Sequence, residues 1–281
     1  MKPMLAGDFI EYVNKLPHQE DLIEAILPYN EVMIICGAPF KGKSLEAQRL
    51  ACQFPSGGTY HGLKVEPCEA AYITWEGSPT KIGRRFKSFI KNVPLEKHPV
   101  IHKLDTPTYL NTPEGYEAFI KVITDIRIIR NIKVIIVDSF SYTIDGDYKT
   151  DAIVNRWWEA VQKLSNTLEL TFIFVWEFTK PIIFRGEEVN PYDLSRLKSA
   201  YTTAYKVNTV VAMGEISNVV KVGGKPQRIK TPQIVIMKAK DSEQFPPLAV
   251  TLNKNTLCYD GEIWQFDKTS DGYIVVPSNN I

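Results

Sequence analysis

The segment Gly37-Ala38-Pro39-Phe40-Lys41-Gly42-Lys43-Ser44 constrains this chain more than any other feature. It matches GxxxxGK[ST], comes directly after the apolar run at 31–36 (EVMIIC) and opens a helical-period segment at 43–53. Glycines at both ends let a loop wrap with its N–H groups turned inward, and the helix N-terminus adds partial positive charge. In that setting the backbone from Gly37 through Leu45 cradles phosphates, Lys43 reaches the β- and γ-phosphates of a nucleoside triphosphate, and the Ser44 hydroxyl ligates Mg2+. A corner that uses glycine only for its turn is the competing reading, and both flanks weigh against it.

The pattern around the motif sets the fold class. Short runs rich in β-branched residues at 70–75 (AAYITW), 100–104, 133–137 (KVIIV) and 171–176 (TFIFVW) read as strands. They alternate with helical segments at 79–92, 113–130 and 150–168, two of them opened by Pro79 and Pro113. Uniformly apolar strands suit a parallel sheet covered on both faces, and the alternation predicts a doubly wound α/β sheet. Past 177 the pattern changes to a loop-rich stretch, then strands at 207–213, 233–239 and 248–252 and more strand within 257–276. The segment 221–232 reads as a hairpin turn around Gly223-Gly224. A mainly parallel twisted sheet extended by antiparallel C-terminal strands is expected.

Two carboxylates fall where such a sheet binds ligands, at strand carboxyl ends. Asp138 closes KVIIVD and would hold Mg2+, or it could simply cap the next helical turn. Glu76 ends AAYITW and could deprotonate an attacking water, or it could be a solvated residue before the Gly77-Ser78-Pro79 turn. Cys36, Cys52, Cys68 and Cys258 form no CxxC pair, so buried reduced thiols are expected rather than zinc or disulfides. His18, His61, His98 and His102 show no metal spacing. With 33 Lys+Arg against 32 Asp+Glu the net charge is +1, so any nucleic-acid contact must be local. The first residues lack a basic stretch leading into a long apolar run, and no segment reaches about 18 uncharged apolar residues, which predicts a cytoplasmic protein with no membrane contact.

Together, GAPFKGKS, YITWEGSP, VIIVDSFS and FIFVWEFTK resemble the RecA-like hexameric helicase ATPases, notably the plasmid RepA-type enzymes and the ATPase domain of DnaB-type helicases. The resemblance covers roughly residues 20–255. It implies a RecA-like ATPase domain at 31–255, with 1–30 a helical lead-in and 256–281 a C-terminal β extension. It implies ATP and Mg2+ as cofactors, Glu76 as catalytic base, a homo-oligomer of hexameric type, and single-stranded DNA as partner in replication. Leu197-Lys198-Ser199-Ala200 resembles the family's stretch before the strand at 207–213. Lys238 and Lys240 resemble its Lys-x-Arg fingers, which enter a neighbour's nucleotide site; on spacing alone they read equally well as a strand's solvent face.

The chain departs from that pattern at Glu177, where the family has His or Gln to sense the γ-phosphate. Lys180, Arg185, Arg196 and Lys198, interleaved with Phe178, Phe184 and Tyr192, could track phosphates and stack bases, although Glu187, Glu188 and Asp193 dilute the patch. Trp157-Trp158 are read as core plus subunit contact. Three functions stay open at this level: a DNA helicase or translocase, a RecA-type switch ATPase that does not unwind, and a small-molecule kinase. The kinase is disfavoured because the strand-rich C-terminal third offers neither an arginine-clustered lid nor an acceptor pocket.

Overall fold

In the computed structural model the described residues are 5–15, 21–148, 150–178, 183–184, 187–188, 192, 194–197, 203, 205–222, 225–239, 245–254, 256–269 and 272–279. After α1 (Ala6–Lys15) come β1 (Val32–Gly37), α2 (Lys43–Ser56), the small hairpin β2 (Gly58–Tyr60) and β3 (Leu63–Val65), then β4 (Ala70–Thr74) and α3 (Pro79–Phe89). The chain continues through β5 (Val100–Lys103), α4 (Pro113–Ile129), β6 (Val134–Asp138), α5 (Asp151–Leu168) and β7 (Thr171–Glu177). A minor pair, β8 (Ile183–Phe184) and β9 (Glu187–Glu188), leads to β10 (Thr209–Val222), β11 (Lys225–Ala239), β12 (Leu248–Leu252), β13 (Tyr259–Thr269) and β14 (Gly272–Asn279). The β2–β3 hairpin has no counterpart in the sequence reading, because three-residue strands are too short to show a period.

One sheet holds ten of these strands in the order β14-β13-β12-β11-β10-β1-β7-β6-β4-β5. From β10 to β5 every pairing is parallel; from β11 to β14 every pairing is antiparallel. This is the expected α/β architecture. Successive strand side chains point to opposite faces, and the core divides accordingly. Met33, Ile35, Tyr72, Val134 and Ile136 pack under α2 and α3, whereas Ile34, Cys36, Ile73, Ile135 and Val137 pack against α4 and α5. Ser78 and Thr112 cap α3 and α4, each accepting from the backbone N–H three residues on, with proline in the first turn. No helix of the described residues is long and apolar enough to cross a membrane.

Residues from both flanks of the 31–255 segment pack into the same core. Leu22, Ile23, Ile26 and Leu27 are fully buried in the first core, and so is Trp264 of β13, whose backbone N–H donates to the His61 carbonyl at 2.7 Å. Residues 215–222 and 225–232 pair only with each other among the described residues, forming a two-stranded arm beyond the sheet. The strands around Gly223-Gly224 are therefore much longer than the sequence reading has them. Trp157 and Trp158 are both 0% exposed and meet edge to face at 4.9 Å, which corrects the subunit-contact reading: both indoles lie within the core. Cys36 and Cys52 are buried and Cys68 and Cys258 half-buried, all as free thiols.

Beneath α2 lies a buried ionic cluster. Arg49 grips Glu46 through Nη2 at 2.7 Å and Nε at 3.1 Å, and His61 Nε2 lies 2.8 Å from Glu46 Oε1. Burial favours the neutral Glu46 carboxyl, but Arg49 and then His61 outweigh it and hold the group below the usual carboxylate range. Burial also pulls His61 below ordinary histidine values, against the pull of Glu46. A folded-state value below the unfolded one means stability that is present at higher pH and lost as pH falls. The urea midpoint is accordingly expected to drop below about pH 6.5, where unfolded His61 takes up a proton, and more steeply below about pH 4.3, where unfolded Glu46 does. In Glu46→Gln that second drop should shrink, and the variant should lose about 3–5 kcal/mol at neutral pH because the buried Arg49 loses its carboxylate. A variant as stable as the parent would refute this account.

Candidate active site

The parallel register brings the functional residues to one edge. Gly37 ends β1 opposite Glu177 of β7 and Met213 of β10, while Thr74 of β4 lies opposite Asp138 of β6, so Glu76 emerges beside Ser139. The loop after β1 then turns through two positive-φ positions, Phe40 at 64° and Gly42 at 88°. A Cβ on Gly42 would lie 2.0 Å from the Tyr259 hydroxyl of β13, which donates to the Lys41 carbonyl at 3.3 Å. A Cβ on Gly37 would lie 2.3 Å from the Met213 carbonyl oxygen. Both glycines are required by close backbone approach as well as by φ.

This loop, α2 and the ends of β4, β6 and β7 enclose a cleft of about 490 Å3. Of the expected phosphate-loop set, Pro39, Phe40, Gly42, Lys43, Ser44 and Leu45 line it. Lys41 instead pairs with Glu215 at 2.6 Å, and Glu215 in turn holds Lys230 at 2.7 Å, tying the loop to the base of the arm. Gly37 and Ala38 form the loop's root, where the Lys43 ammonium donates to the Ala38 carbonyl at 2.9 Å. Burial lowers the Lys43 pKa, opposed by the charges of Glu177, Asp138, Cys36 and Glu76 in falling order. Glu177 thus faces the phosphate-loop lysine, which balances a carboxylate at the position where the family resemblance has a neutral sensor.

Asp138 is 3% exposed and precedes a cis peptide bond to Ser139. Burial raises its pKa, hydrogen bonds from Tyr72 and Ser44 pull it back, Glu76 pushes it up again and Lys43 lowers it. The Glu76 carboxylate is exposed at the cleft and accepts from the Ser139 hydroxyl at 3.1 Å. Its backbone N–H donates to Thr74 Oγ1 at 3.2 Å, which sets the direction in which the chain leaves β4. The donor set of Ser44 and Asp138 is hard oxygen and fits Mg2+, which takes few protein ligands and completes its shell from phosphates and water. Among the described residues no cluster of three His, Cys, Asp or Glu offers a site for another metal.

Two cleft residues escape the sequence reading. Lys81 and Arg85 of α3 line the same cleft as Lys43, and neither side chain pairs with a carboxylate among the described residues. Their four-residue spacing after the Ser78 cap was the available signal: it puts both on one helix face.

The remaining expected residues fall elsewhere. The Lys238 ammonium is half-buried and donates to Val207 O at 2.7 Å within its own chain. Lys240, Lys180, Arg185 and Lys198 lie outside the described residues, and Arg196 ends a short 3-10 turn, Leu194–Arg196. Phe178 is 7% exposed and bridges Leu197, so this aromatic belongs to the core and cannot stack a base. The Tyr192 hydroxyl donates to Gln233 Oε1 at 3.1 Å.

A family model for AAA domains matches residues 3–181. Among solved structures, the fold is similar to that of a KaiC-like protein from the hyperthermophilic archaeon Pyrococcus horikoshii OT3, with a TM-score of 0.52 and 13% identity over 91% of this chain and 94% of that one. No curated protein matches the chain in sequence. The close approach at Gly42 supplies a direct check on the site. Gly42→Ala should weaken nucleotide binding by tenfold or more, combining the left-handed backbone cost of about 1–2 kcal/mol with the clash against Tyr259. Pairing it with Tyr259→Phe should restore part of the loss; a purely additive double mutant in a nucleotide titration would show that the hydroxyl does not set the loop.

Proposed function

The chain belongs to the AAA domain family and carries a RecA-like ATPase fold, and on that basis we propose that it hydrolyses ATP at this cleft with Glu76 as the base that activates water. The observation that supports the reading most is the convergence of Lys43, Ser44, Glu76 and Asp138 on one cleft from three separate strand ends. The loop N–H groups and Lys43 would hold the β- and γ-phosphates, and Ser44 and Asp138 would hold Mg2+. Bound Mg2+ supplies positive charge against the phosphate oxygens. Glu76, steadied by Ser139, accepts the proton of the attacking water as a bond forms to the γ-phosphorus and the bond to the β-phosphate oxygen breaks. Lys81 and Arg85 neutralise charge on the transferred group from the same chain.

We read the purpose of hydrolysis from the family resemblance: a homo-oligomer, a hexameric ring, that moves along or unwinds DNA, with single-stranded DNA near Lys180, Arg185, Arg196 and Lys198. In that reading Lys238 and Lys240 of a neighbour complete the site. A second reading, a switch ATPase without unwinding, draws support from two observations. The Lys238 ammonium is engaged by its own chain's Val207 carbonyl, and Lys81 and Arg85 already place two cations at the cleft in cis.

Glu76→Gln should bind ATP with nearly unchanged affinity and lose turnover by at least about 100-fold; equal loss of both would remove Glu76 from the base role. Steady-state hydrolysis across protein concentrations, with and without single-stranded DNA, separates the two purposes. Turnover that rises with concentration and with DNA supports the ring motor, and turnover indifferent to both supports the switch.

A further inference from the structure

The Asp138 carboxylate has a buried partner that plays no part in the chemistry described above. Tyr72 of β4 is 1% exposed, and its hydroxyl donates to Asp138 Oδ2. The same hydroxyl accepts from Gln48 Nε2 at 2.9 Å. Gln48 is 2% exposed, sits one helical turn after Ser44 on α2, and lines the cleft, as Tyr72 does. Its other amide atom, Oε1, is buried without a hydrogen-bond partner. Packing alone does not call for these polar atoms. The Tyr72 ring meets Phe86 edge on at 5.4 Å, a contact that phenylalanine would make equally well. A fully buried acceptor left unpaired is rare enough in native proteins to need a reason, and at the wall of a ligand cleft the missing donor can arrive with the ligand.

We propose that Tyr72 and Gln48 are positioning residues of the Mg2+ site. Tyr72 fixes one oxygen of Asp138, so that the carboxylate presents its remaining lone pairs toward Ser44 and the ion. Gln48 uses its NH2 to orient the Tyr72 hydroxyl and its Oε1 to accept a hydrogen from a water of the ion's hydration shell. Mg2+ keeps several waters in sites of this kind, and outer partners that orient metal ligands carry a large share of metal affinity. The assignment rests on the reading of the cleft as a Mg-nucleotide site.

The test is a fluorescence titration of the full chain with a mant-labelled ADP, run in EDTA and across a Mg2+ series. Tyr72→Phe and Gln48→Leu should each raise the Mg2+ concentration needed for half-maximal enhancement of binding by about tenfold or more, with affinity in EDTA unchanged. Should Tyr72→Phe fail to fold, as judged by thermal melting, Gln48→Leu carries the comparison. An unchanged Mg2+ requirement overturns the proposal. So does an equal loss of affinity with and without Mg2+, which marks a packing role. A parent protein whose ADP affinity ignores Mg2+ altogether overturns the metal reading of the cleft itself, and that result is distinct from the other two.

Discussion

The site depends on one constraint, the parallel register of β1, β7, β6 and β4. Because the four strands run the same way and stay in step, Gly37, Glu177, Asp138 and Glu76 all leave the sheet at the same edge. The strands hold that register because both faces are buried. A slip by one residue would move every inward side chain of the helix-covered core to the opposite face, and each face is filled by a different, well-packed set. The precision of the cleft therefore comes from apolar packing some distance away from it.

Within the cleft the charges are arranged against one another. Three carboxylates, Glu76, Asp138 and Glu177, face Lys43, Lys81 and Arg85. Lys43 is the most buried of the cations and feels burial as its largest perturbation, with Glu177 as the strongest opposing charge. That balance keeps a cation in a place where burial alone would discharge it. On the other side of the loop, Lys41 is held by Glu215, which leaves Lys43 as the lysine of the loop that turns into the cleft. The loop is thus gripped from three directions: by its own helix, by the arm through Glu215 and by β13 through Tyr259.

Most of the parallel half was legible in the sequence because its central strands are short and uniformly apolar and because α3 and α4 open with proline after a hydroxyl cap. Strand ends matter most for function, and there Asp138 and Glu76 announced themselves as acids that close apolar runs. The long arm was not legible, since Lys221, Lys225, Arg228 and Lys230 with Pro226 and Pro232 break up any apolar alternation around Gly223-Gly224. Lys81 and Arg85 were missed because a basic pair on a helix has the same pattern whether it faces water or phosphate; only the position of α3 over the cleft distinguishes the two. Tyr72 was hidden in another way. It occupies an ordinary strand position in AAYITW, and nothing in that run says that its hydroxyl meets a residue 66 positions later. Phe178 was misread for the converse reason: an aromatic among basic residues suggests stacking until its burial against Leu197 is seen.

The contact between Tyr259 and the Lys41 carbonyl joins residues 218 positions apart. A chain emerging from the ribosome has made the whole GAPFKGKS motif, Glu76, Asp138 and the full parallel sheet well before residue 259 appears. Long-range contacts of this kind are the slow part of folding, and vectorial synthesis delays this one further. The glycine loop consequently acquires its final shape late, when β13 settles over Gly42. Closure of the loop is thereby tied to the antiparallel strands, although every residue of the loop itself precedes them in the chain.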